Sequence, residues 1–108
     1  MKTLYSACLS RLGLSQSGAA SLHGVRLDTV KSWSSGRNPV PDGAWADLRS
    51  YEASIVDRSE AIREAWEDAG EIPDIDVRIE DEGPNWMALA DFVLTAEEVQ
   101  PRNIRLRP

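Results

Sequence analysis

Arg26, Leu27, Asp28, Lys31, Ser32 and Ser35 fall in one short stretch of the chain. On a helix of about 3.6 residues per turn they share the side opposite Val30 and Trp33. The chemistry open to such a row is hydrogen bonding to the edges of bases. Arg26 and Lys31 can donate to guanine O6 and N7, and the serines Ser32 and Ser35 can serve either base type. Asp28 either accepts from cytosine N4 or complements the positive end of the helix. Leu27 either meets a thymine methyl or packs inward. A second set suits phosphate. Ser15, Gln16 and Ser17 open a neighbouring helix whose free N–H groups attract an anion. Thr29, Arg37 and Asn38 flank the first set and suit the other strand. For Ser15 the alternative is a plain cap, and for Arg37 a solvated surface charge.

Two helices must position these groups. Leu14 to Pro39 reads LSQSGAASLHGVRLDTVKSWSSGRNP, which predicts helices over Gln16–His23 and Leu27–Ser34 crossing at a tight turn. Counted from Gln16, Ala20 is fifth, Gly24 ninth, Val30 fifteenth and Trp33 eighteenth. Ala20 is small where the second helix passes close. Gly24 sits where the turn needs a positive φ, which glycine takes without steric cost. Val25, Val30, Trp33 and Leu22 supply a shared apolar interior. Before this pair, Leu4, Tyr5, Cys8, Leu9 and Leu12 repeat at helical spacing, which predicts a helix over Lys2–Leu12 ended by Gly13. Ser15 is the expected N-cap of the next helix.

From Gly43 to Ala69 no proline or further glycine intervenes, and Trp45, Leu48, Tyr51, Ile55, Ile62, Trp66 and Ala69 recur at helical spacing. Such a helix is about 40 Å long, too long for a small head to cover. Its distal part, with Ile62 and Trp66, must be covered by the tail of this chain or by a second copy. The second copy is the expectation adopted, with Ile62, Trp66, Ile75, Val77, Ile79 and Trp86 at a dimer interface. In the tail, Ile75, Val77 and Ile79 alternate with charged residues as in a half-buried strand. Trp86 to Leu94 reads as a helix, and Thr95 with Glu98 as a capping box for one more turn. Ile104 and Leu106 suggest a second strand.

The chain has 108 residues, net charge −6 and a single cysteine, Cys8. That length holds one modest domain with an appendage. Charge is unevenly spread. Residues 1–50 carry six basic and three acidic side chains, net +3, whereas residues 51–108 carry six basic and fifteen acidic, net −9. A phosphate-facing half joined to an acidic half suits a small DNA binder. With one thiol, no export signal and no apolar run near the roughly 20 residues of a membrane span, the expected compartment is the cytoplasm.

Trp33-x-x-Gly36-x-x-Pro39 and the positions counted above resemble the Cro/CI-type (XRE-like) helix-turn-helix regulators of phages and bacteria, over residues 2–56. Ser32 to Asp42, followed by a long helix and a strand-bearing tail, is similar to the small autoregulators encoded beside anti-CRISPR genes in mobile elements. The resemblance implies a mainly α protein with a repressor-like head of four to five helices (residues 1–56). A long connecting helix and a small strand-bearing C-terminal dimerisation region (residues 57–108) would follow. It also implies a homodimeric autorepressor reading an inverted repeat in double-stranded DNA through the major groove. Three positions depart from the family pattern. Gly18 lies inside the second helix at a cost on the order of 1 kcal/mol. Arg26 stands where a Ser or Thr cap is favoured, and Ser34 replaces a common glutamate.

Other functions find less support in the residues. His23 has no second histidine or cysteine cluster beside it and reads as structural or solvent-facing. The tryptophans fit core or interface positions better than a stacking platform for single strands. The acidic residues Asp74, Asp76, Glu80, Asp81 and Glu82 lack the spacing of a calcium loop. No nucleophile elbow, phosphate-cradling loop or metal-ligand pair is present, so neither an enzyme nor a cofactor or metal is expected. The alternative is an antitoxin-like protein whose acidic C-terminal half binds a basic partner while the head represses its operon.

Overall fold

The computed structural model describes residues 2–69, 75–76, 84–96 and 106–107. It is mainly helical, and the chain divides into two compact units, Met1–Glu52 and Ala53–Pro108. The helices are α1 (Leu4–Leu12), α2 (Gln16–His23), α3 (Leu27–Ser34), α4 (Asp42–Ala69) and α5 (Pro84–Thr95). Ile75–Asp76 (β1) and Leu106–Arg107 (β2) form a two-residue parallel ladder with Ile75 opposite Leu106. No helix among the described residues is long and apolar enough to cross a membrane.

In the first unit each helix boundary has a local cause. α1 starts at Leu4, two residues later than its periodicity predicts, because Thr3 caps it. The Thr3 hydroxyl accepts from Ser6 N–H, and the Ser6 hydroxyl oxygen accepts from Thr3 N–H, a reciprocal capping box. Ser15 caps α2 by accepting from the N–H of Gly18, so that glycine stands in the first turn of α2. Gly24 ends α2 with φ +68 and has open space where a side chain would be. The left-handed backbone alone therefore calls for glycine there. Tyr5, Leu9, Leu12, Ala19, Ala20, Val30, Trp33, Ala44 and Leu48 are buried. Leu4 is 73% exposed and Leu22 36%, and Cys8 and Val25 are half-buried. Leu4 is the first residue of α1, and Leu22 sits near the end of α2, where the neighbouring helices offer no cover.

In the second unit Ile62 packs with Ala88, Leu89, Phe92 and Ala96, and Ile55, Trp66 and Val93 lie against that cluster. The rings of Trp66 and Phe92 meet edge-on at 6.4 Å. Two residues of the expected dimer interface, Ile62 and Trp66, thus have packing partners within the chain. Ile62 is 6% exposed, and the α5 segment of its own chain covers it, which was the other option left by the length of α4. Trp66 is half-buried against the same helix, and Trp86 is half-buried as well. Ile75 is described only through its backbone pairing. Val77 and Ile79 lie outside the described residues, as do the acidic run, Glu98 and Ile104. The further turn expected from Thr95 and Glu98 lies outside the described residues. Thr95 closes α5, its hydroxyl donating back to the Asp91 carbonyl at 2.7 Å.

Candidate nucleic-acid interface

The row of candidate base-reading residues is carried by α3, and what holds α3 is a set of aromatic and polar contacts on its other side. Val30 is fully buried and Trp33 is 8% exposed. The Trp33 ring meets Tyr5 of α1 edge-on at 5.8 Å and His23 of α2 at 5.5 Å. The far end of α3 is tied to α1, since the Thr3 hydroxyl donates to the Ser34 carbonyl at 2.9 Å. Ser34 is buried, which explains why a small residue stands in place of the glutamate, and its own hydroxyl finds no partner.

His23 joins three helices. Its Nδ1 lies 2.9 Å from Asp47 Oδ2 of α4 and its Nε2 lies 3.0 Å from the Tyr5 hydroxyl. A carboxylate only accepts, so in the neutral ring Nδ1 carries the proton and Nε2 accepts from Tyr5. The His23 side chain is 2% exposed, which makes it structural and not solvent-facing. Burial pushes the Tyr5 hydroxyl up to about 12, so it stays a neutral donor at physiological pH. Sequence reasoning missed this relay. Its members stand 18 and 24 positions from His23, and only the lone histidine beside Gly24 hinted at a special position.

On the outer side Arg26, Leu27, Asp28, Lys31 and Ser35 are exposed, Leu27 at 37%. Arg26 and Lys31 make no side-chain hydrogen bond or ion pair with any described residue, whereas the Ser35 hydroxyl donates to the Ser32 carbonyl. Ser32 does not belong to this row. It is 3% exposed and its hydroxyl donates to the Thr29 carbonyl at 2.7 Å. The chain turns back after α3 at Gly36, φ +80, so that the N–H groups of Arg37 and Asn38 donate to the Ser32 carbonyl.

Of the candidate phosphate residues, Gln16 and Ser17 are exposed in the first turn of α2, where N–H groups lack partners within the helix. Ser15 is exposed and acts as the cap. Thr29 is half-buried, and Arg37 and Asn38 are exposed in the turn after α3. Arg26 begins α3 without any side-chain hydrogen bond to the helix. Compared with family models, curated proteins and solved structures, the chain matches none.

Proposed function

We propose that the chain is a sequence-specific double-stranded DNA-binding regulator, in which α2, the Gly24 turn and α3 act as a helix-turn-helix and α3 enters the major groove. The observation that carries this reading is the division of α3 into two sides. One side is anchored by Trp33 and Val30, and the other offers Arg26, Leu27, Asp28, Lys31 and Ser35 to solvent, its two cations unpaired among the described residues. Gln16 and Ser17 of α2, with Arg37 and Asn38 beyond α3, are the positioning contacts to phosphate. One head with so few cations binds weakly. A homodimer doubles the contacts and fixes half-sites about one helical turn apart, on an inverted repeat. Acting at its own promoter, such a dimer is a repressor. The reading needs no catalytic group, metal or cofactor.

The test is selection of bound sequences from a random duplex library at two salt concentrations. Enrichment of an inverted repeat is the expected result, and salt-sensitive binding without enrichment would overturn the reading. On the selected duplex, Lys31→Ala should lose about 1–3 kcal/mol of specific affinity at unchanged thermal stability. Unaltered affinity would remove Lys31 from the interface.

A further inference from the structure

We propose that the homodimer forms through the groove between α1 and α4 in the first unit, where exposed Leu4 stands beside an open apolar hollow edged by Arg11, Arg49 and Glu52. The occupant is a second copy of this chain. This rests on the dimer in the reading above, and Ile62, one of the residues expected at its interface, is covered by α5 of the same chain.

Three observations carry the proposal. Leu4 is 73% exposed, a large side chain left in water at the first position of a helix whose Tyr5, Leu9 and Leu12 are buried. It borders a groove of about 380 Å³ that also has Cys8 and Trp45 in its lining. The same patch thus presents a projecting leucine and a hollow to receive one. A two-fold dimer needs this self-complementarity, because each copy brings the same surface to the contact. Charge at the edge is self-complementary as well. Arg11 and Glu52 pair at 2.6 Å with side chains 74% and 42% exposed. Arg49, also exposed, is unpaired among the described residues. Across a two-fold axis, Arg49 of one copy faces the partner's Glu52 and turns two exposed pairs of little individual value into a network. A single-signed edge would have pointed to an oppositely charged partner.

The test is sedimentation of the full chain over a concentration series, for the wild type and for Leu4→Glu. The first turn of α1 holds no acidic residue, so a glutamate there suits the helix dipole and the variant should keep its helical circular dichroism. The wild type is expected to dimerise, and L4E to raise the dissociation constant at least tenfold. Cys8, the single cysteine of the chain, gives a local readout: its labelling by a maleimide should slow as wild-type concentration rises, and should not in L4E. A wild type monomeric throughout, an L4E that remains dimeric, or concentration-independent labelling would each overturn the groove as the interface. Duplex selection on the same preparations separates the two ideas. A groove dimer without sequence preference upholds this interface and overturns the regulator reading. Paired binding of an inverted repeat by L4E with unchanged affinity does the reverse.

Discussion

The two units hold their helices together by different means. In Met1–Glu52 the contacts are directional. Tyr5, His23 and Asp47 form a chain of hydrogen bonds through three helices, Thr3 bonds both its own helix and the end of α3, and Tyr5 meets Trp33 and Trp45 edge-on. In Ala53–Pro108 the described contact is a cluster of aliphatic and aromatic side chains around Phe92. Polar bonds there, Ser59 to Asp91 and Arg63 to Thr95, join the two helices at the edge of that cluster. An apolar cluster makes helices meet but tolerates exchange of one shape for another. A satisfied buried network accepts one arrangement only. The unit proposed to present α3 to DNA is the one whose contacts fix the position of a helix.

The largest effect should come from breaking the apolar unit. Phe92 is fully buried, and Phe92→Ala should cost about 3–5 kcal/mol through lost burial and a residual cavity, read by urea denaturation. Phe92→Leu, which keeps much of the volume, should cost far less. If the two variants lost the same amount, the cluster would be as specific as the network and the contrast would fail.

Next in size is the network itself. His23→Leu keeps bulk in the aromatic cluster but leaves the Tyr5 hydroxyl, on a residue 2% exposed, without its acceptor. The expected loss is about 1–3 kcal/mol. Removing that hydroxyl first, as Tyr5→Phe, should make the loss from His23→Leu smaller by at least about 0.5 kcal/mol. Additive losses would mean that the three groups act separately and that Trp33 alone positions α3.

The contrast also explains what was legible in the sequence. Periodicity and punctuation are local, so the bounds of α2 and α3, the extent of α4 and the positive φ at Gly24 can be read from LSQSGAASLHGVRLDTVKSWSSGRNP and the run that follows. Partners distant in sequence leave no such trace. Nothing in the spacing announces that His23 meets Tyr5 and Asp47, or that α5 rather than a second copy covers Ile62. Ser32 failed for a related reason. The helical wheel puts it beside Asp28, yet it is 3% exposed, with its hydroxyl turned back onto the Thr29 carbonyl. Leu4 failed the other way, sharing a helical stripe with Tyr5 and Cys8 yet lying beyond the reach of its neighbours.

The smallest change in stability is the most informative about function. α1 and α2 each begin with a hydroxyl that caps the first turn, from Thr3 and Ser15, whereas α3 begins at Arg26 with no such bond. Arg26→Ser should supply the missing cap and stabilise the first unit by about 0.5–1 kcal/mol, visible as a higher melting temperature. The same change removes an exposed guanidinium, unpaired among the described residues, from the accessible side of α3 and should weaken binding to the selected duplex by about 1–3 kcal/mol. Opposite signs in the two measurements would mean that α3 gives up local stability at its first position in order to keep a base-reading donor there. A variant more stable and equally tight would leave Arg26 outside the interface. A variant weaker in binding but no more stable would mean that the start of α3 already has its N–H groups satisfied by other means.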